Sequence, residues 1–375
     1  MSDSRLDKLA ALLVNYSARV KPGDFVYIEC DEVALPWMKA VAREAVKAGG
    51  HVEYKLTSED VGEVLLKYAS EEQLKEESFM KKNVLERADV WLTAWGGRNT
   101  RTSTNIPSEK LKASLQGASS WRKVYSERMG NGSLRWCGTM FPTHAEAQEA
   151  SMSLSDYEDF VYGAGLLDAE DPVAEWKRIS AEQDRWIKYL NSKKEIHFVS
   201  EGTDIKARIE GRKWINCDGR VNFPDGEIFT SPIEDSVEGY VTFSYPSIYM
   251  GQAVEGIRLE VKKGKVVKAE AKGGEELLKS LLATDEGASY FGEVAIGTNY
   301  GIKKFTRNIL FDEKIGGTFH MAIGDSFPEA GGKNKSSLHW DMICDMRNGG
   351  KIYADGELFY ENGQFIKEVL EKYGL

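Results

Sequence analysis

The chain has 375 residues, of which 42% are hydrophobic and 29% charged, with a formal net charge of −10 and a pI near 5.3. That balance belongs to a soluble globular protein of about two domains, and its acidity excludes the basic stripe that a nucleic-acid-binding surface needs. The four cysteines Cys30, Cys137, Cys217 and Cys344 form no CxxC pair, which excludes a cysteine zinc site and suggests buried thiols in a reducing, cytoplasmic compartment.

The opening segment MSDSRLDKLAALLVNYS reads as a charged amphipathic helix rather than a signal peptide, with Leu6, Leu9, Leu12, Leu13 and Tyr16 at helical spacing. No stretch approaches the ~18 consecutive apolar residues of a membrane span. Pro22, Gly23 and Asp24 turn the chain into a strand at 25–30. A helix over 35–48 is stopped by Gly49 and Gly50, and strands at 51–56 and 89–94 follow. This alternation predicts an N-terminal α/β domain, residues 1–192, with a mainly parallel sheet covered by helices. Thr143 caps a helical region over 143–192, interrupted at Asp171-Pro172, and the polar run 191–195 marks the boundary. Residues 193–375 then read as a β-rich α+β domain. Strands are expected at 196–200, 204–209, 241–243 and 254–261, with a hairpin turn at Gly264 into 266–271 and one short helix over 275–283.

Candidate chemistry gathers in this second half. His339 and Asp341 form an HxD pair, and on a strand residues two apart share a face. Alone, such a pair is more often a core histidine beside a surface carboxylate. Three neighbours change the weighting. Glu227 enters a strand after a Pro-Asp-Gly turn, Glu293 interrupts the apolar run YFGEVAIG, and His320 lies within the apolar run 319–323. Burying a carboxylate is costly unless a cation or hydrogen bonds compensate. Oxygen and imidazole donors without thiolate suit zinc, cobalt or manganese. Glu227, Glu293, His320, His339 and Asp341 exceed the needs of one tetrahedral site and fit a metal pair ~3.5–4 Å apart that activates a shared water, although spacing alone does not establish convergence. His51, His144 and His197 read as structural, and Ser336 and Ser337 have no partner order for a serine nucleophile.

The segments NFPDGEIFTSP (222–232), YFGEVAIGTN (290–299), FHMAIGDSFP (319–328) and the run from Gly331 to Asp341 resemble the M29 metallopeptidases of the thermophilic aminopeptidase T type. VKPGDFVYIEC (20–30), AGG (48–50) and RWCGTMFPTHAEAQEA agree more loosely. The resemblance implies a hydrolase with two divalent metal ions (zinc, cobalt or manganese) held by Glu227, Glu293, His320, His339 and Asp341. It implies removal of the N-terminal residue from peptides with a free N-terminus, with Glu227 or Glu293 as proton shuttle. It also implies a homodimer. One position departs: the family's tyrosine, seven residues beyond the His320 position, is Phe327 here. A tyrosine hydroxyl could bond a developing oxyanion and a phenyl ring cannot, so either Tyr300 or a backbone N–H of 330–334 supplies that bond or the enzyme is slow on peptides. Two other readings stand beside the aminopeptidase. One is a ring-cleaving dioxygenase with a single iron on His320, His339 and Asp341. The other is a non-catalytic metal- or peptide-binding relative.

Overall fold

The computed structural model describes residues 3–249 and 251–375. Two compact units emerge, Met1–Val173 with Gly219–Pro224, and Ala174–Asp218 with Asp225–Leu375.

In the first unit, the apolar runs FVYIECD and VWLTAW become the central strands Phe25–Asp31 and Val90–Trp95, buried on both faces as parallel strands are. The order is His51–Thr57, Phe25–Asp31, Val90–Trp95, Arg135–Met140, Asn222–Phe223, with every neighbouring pair parallel. The helix Leu35–Lys47 turns Trp37, Met38, Ala40, Val41 and Ala45 inward. The expected N-terminal helix holds α-geometry over Ser4–Leu12 and widens into a π-helical turn over Leu13–Ser17. Five helices between residues 59 and 130 were not foreseen: Glu59–Tyr68, Glu71–Lys75, Phe79–Arg87, Ser108–Gly117 and Ser119–Gly130. Three of them bury no apolar residue, so no periodic core face advertises them.

The second unit packs an eight-stranded antiparallel sheet against a five-stranded antiparallel one. Phe198 and Phe319, one from each sheet, stack at 4.3 Å. The hairpin at Gly264 forms as expected, but the segment expected as one strand over 254–261 is two, Gln252–Val254 and Arg258–Lys262. The unit boundary also differs from the expected 192/193. The helix Pro172–Leu190 goes almost wholly with the second unit, because Trp186, Ile187, Tyr189 and Leu190 are buried in that unit's core. The fold class is as read: a parallel α/β unit followed by a β-rich one.

Candidate metal centre

The five-stranded sheet runs in the order His339–Asp345, Thr318–Gly324, Phe291–Gly297, Glu227–Thr230, Ile215–Cys217. Its register places Glu293 opposite Ala322 and Ala322 opposite Asp341. One row along, Ala295 lies between Phe229 and His320, and beyond that Gly297 faces Glu227. Alternation therefore puts Glu227, Glu293, His320, His339 and Asp341 on one face. The two central strands share a pattern, E-x-A-x-G at 293–297 and H-x-A-x-G at 320–324. Its small residues leave room above the sheet for the charged ones to meet. The opposite face, with Val294, Ile296, Phe319, Met321, Ile323 and Met342, fills the hydrophobic core.

His320 Nε2 lies 3.5 Å from Glu227 Oε2 and 3.7 Å from Glu293 Oε1. His339 Nε2 lies 3.2 Å from Glu293 Oε2 and 3.6 Å from Asp341 Oδ1. All the residues predicted as ligands thus form one linked cluster. Glu227, Glu293 and His320 are buried, while the His339 side chain keeps 31% exposure at the rim. His339 Nδ1 bonds the Asp325 carbonyl at 2.9 Å, which orients the ring with Nε2 toward the carboxylates. Ser336 and Ser337 hold this approach in place by donating to Asp285 at 2.7 and 2.9 Å. On the far side, Gly226 has φ +118°, and a Cβ there would come within 2.7 Å of Asn299 Cβ, so glycine is required for the turn that delivers Glu227. The Glu227 carbonyl accepts from Gln183 Nε2 at 2.8 Å.

The electrostatics are those of carboxylates crowded out of water. Burial pushes Glu227 up to about 8. Burial acts likewise on Glu293 and Asp341, but the imidazoles outweigh it, holding Glu293 below its usual range and Asp341 at about 2. For the histidines burial opposes the charge. The hydrogen bond to Glu293 still lifts His320 to about 10, and the Asp341 charge lifts His339 to about 12. The carboxylates thus favour positive charge on the two imidazoles. Glu227 Oε2, His320 Nδ1 and Asp341 Oδ1 are buried with no hydrogen-bond partner, and such orphans call for a ligand. Orphaned oxygens and imidazole nitrogens with no thiolate in the set fit a hard or borderline divalent cation.

Sequence reasoning passed over several neighbours. Glu313, His320 and Asp341 present donor atoms within 4.8 Å of one another, as do Glu293, His339 and Asp341, and Cys217, Asp225 and Glu227. The signal available was the FDEK run at 311–314, where two acids and a lysine interrupt apolar surroundings. A cavity of about 160 Å³ opens beside His339 and Asp341, walled by Ile248, Tyr249, Phe305 and Trp340. Phe327 is half-buried, with its ring 5.1 Å from the His339 ring and 4.7 Å from Phe229. Of the substitute donors expected for it, Tyr300 and the N–H groups of 330–333 are engaged elsewhere. Tyr300 donates its hydroxyl to the Gly363 carbonyl at 2.9 Å. The Ala330 and Gly332 N–H groups both bond the Phe327 carbonyl, Gly331 N–H bonds Pro328, and Lys333 N–H bonds Glu234.

The chain is 27% identical to Aminopeptidase 2 of Geobacillus stearothermophilus over 98% of its length and 99% of the relative's. It is 28% identical to Aminopeptidase T of Thermus aquaticus over 90% of the chain and 91% of the relative. Wild-type AmpT from Thermus thermophilus has the same fold, with a TM-score of 0.84 at 23% identity, covering 97% of this chain and 99% of that one. The model of the thermophilic metalloproteases (M29) matches residues 2–365. Sheet, donor cluster and whole-length likeness agree, and the chain belongs to the M29 metalloprotease family.

Proposed function

We propose that this protein is a metal-dependent aminopeptidase, an enzyme that removes N-terminal residues from peptides. The observation that carries the reading is the convergence of Glu227, Glu293, His320, His339 and Asp341 on one sheet face, with three orphaned donor atoms among them. Its relatives at similar length are aminopeptidases. A divalent ion there supplies a water of lowered pKa and polarisation of the scissile carbonyl. Glu293 and Asp341 hold the rim histidine toward the ion. Glu227 and Glu293 flank His320 and are the carboxylates able to hold or move a proton beside the reacting groups. The cavity beside His339, walled by Ile248, Tyr249, Phe305 and Trp340 and also by Arg307 and Asp312, takes the side chain of the substrate's N-terminal residue. The residues offer donors enough for two ions; how many bind depends on Lys314, the cation already among them.

Nothing in the site favours the dioxygenase or the non-catalytic reading. A facial triad leaves the buried Glu227 and Glu293 without purpose. Cytoplasmic residence is part of the proposal, supported by four free thiols. No helix among the described residues is long and apolar enough to cross a membrane. So is a homodimer. The edge strand His51–Thr57 exposes Tyr54 and Leu56, and the next helix exposes Val61, Val64, Leu65 and Tyr68. Antiparallel self-pairing about Tyr54 would set Glu53 against the second copy's lysine at position 55, a charge-complementary edge.

The test is cleavage of short peptides by metal-loaded protein, with free and N-acetylated forms compared. Free N-termini should be cleaved at least ~100-fold faster, because an exopeptidase site recognises the charged amine. Equal rates on both forms would replace the aminopeptidase by another hydrolase.

A further inference from the structure

Lys314 lies between the helix Ile309–Asp312 and the strand Thr318–Gly324, and its side chain is 0% exposed. Its Nζ is 3.7 Å from Glu227 Oε1 and hydrogen-bonds Glu313 Oε1. A wholly buried ammonium persists only where carboxylates compensate it, and here two do. Lys314 therefore touches two of the three donor groups, Cys217–Asp225–Glu227 through Glu227 and Glu313–His320–Asp341 through Glu313. Among the described residues it makes no ion pair with Glu293 or Asp341, the acids of the remaining group, and its charge is only a minor influence on Asp341, which that group shares with Glu313–His320–Asp341. A divalent ion bound by Glu227 or Glu313 would face a positive charge a few ångströms away in a low-dielectric interior, and would have to displace it.

We infer that this protein holds one divalent ion tightly, between Glu293, His339 and Asp341, and that the Lys314 ammonium occupies the role of a second ion beside Glu227 and Glu313. This rests on the metal reading of the cluster and goes beyond it by fixing the number of ions. The fixed charge offsets one of the two negative charges of Glu227 and Glu313 whether or not metal is present. His320 borders both halves, reaching Glu227 on one side and Glu293 on the other.

Metal-free full-length protein titrated with Co²⁺, followed by d–d absorption and by equilibrium dialysis, reads the stoichiometry directly. Wild type should saturate at one equivalent, with any second ion weaker by about two orders of magnitude. Lys314→Met keeps most of the stem and removes the charge, and should take up a second equivalent tightly. Lys314→Arg keeps a cation and should stay at one. Glu293→Gln should lose the tight ion. Two tight equivalents in wild type would overturn the inference, as would Lys314→Met remaining at one. If Lys314→Met folds only with metal, it is refolded in Co²⁺ and the bound ions are counted. Peptide cleavage is scored separately. One ion with no cleavage would sink the aminopeptidase and leave this inference standing, whereas two ions with cleavage would do the reverse.

Discussion

Phe327 is the position where a single oxygen atom tests the site. Its ring lies edge to face with His339 and packs on Phe229, which sets it half-buried beside one of the candidate ligands. Phe327→Tyr adds one hydroxyl to that ring. Tyr300 and the amides of Ala330, Gly331, Gly332 and Lys333 are committed elsewhere, so these groups do not duplicate its bond. Loss of one oxyanion donor costs about 2.7–4 kcal/mol, ~10²–10³ in turnover. The gain on restoring it has that as a ceiling, and about tenfold is the floor expected of an imperfectly aligned hydroxyl. Because the bond forms as charge develops, kcat should rise and KM change little. The position is half-buried, so the new hydroxyl can remain hydrated and the melting temperature should hold within a few degrees. The assay is kcat and KM on an aminoacyl chromogenic substrate, with melting temperature measured on the same preparations. Unchanged kcat with a melting temperature several degrees lower would place the hydroxyl unpaired in the core, a cost of ~1–3 kcal/mol, and would refute the reasoning.

Glu293→Gln should lower metal affinity at least ~10-fold and turnover with it, leaving far-ultraviolet circular dichroism unchanged; full metal content and turnover would remove Glu293 from the ligand set. Ala322→Val should place two methyl groups between Glu293 and Asp341, weakening metal binding at a stability cost of ~1–3 kcal/mol. The neighbouring Met321→Leu, on the core face, should cost under about 1.5 kcal/mol and leave metal content alone. Equal metal loss in both would show that the small-residue row has no special part. Chelation should lower the melting temperature, because an ion present at ~100 times its dissociation constant contributes about 2.7 kcal/mol. A melting curve indifferent to chelator and to added Co²⁺ would count against a metal in this cluster.

Much of the site was legible because its signals are local. A carboxylate inside FGEVAIG and a histidine inside FHMAIG are chemically out of place, and burial alone makes them costly. The HxD spacing fixes a common face once the segment is a strand, and the structure makes it one. The alternating patterns and glycine stops likewise marked the parallel strands of the first unit and the hairpin at Gly264. What the sequence could not supply was distance. Residues from 227 to 341 meet because three antiparallel strands align Glu293, Ala322 and Asp341 in one row and a fourth sets Glu227 opposite Gly297, and register is a property of pairing, not of any strand alone. Lys314 and Glu313 were missed for the same reason. In sequence they are a charged pair in a loop, and only the fold brings that loop beneath Glu227, where a lysine with no exposure becomes a cation inside the site. The helices between residues 59 and 130 were missed for the opposite cause, since several bury no apolar face and leave no periodic trace. Residue chemistry thus named the candidate ligands, while strand register and loop placement decided which charges they meet, because electrostatic energy depends on separation and burial that only the tertiary structure sets.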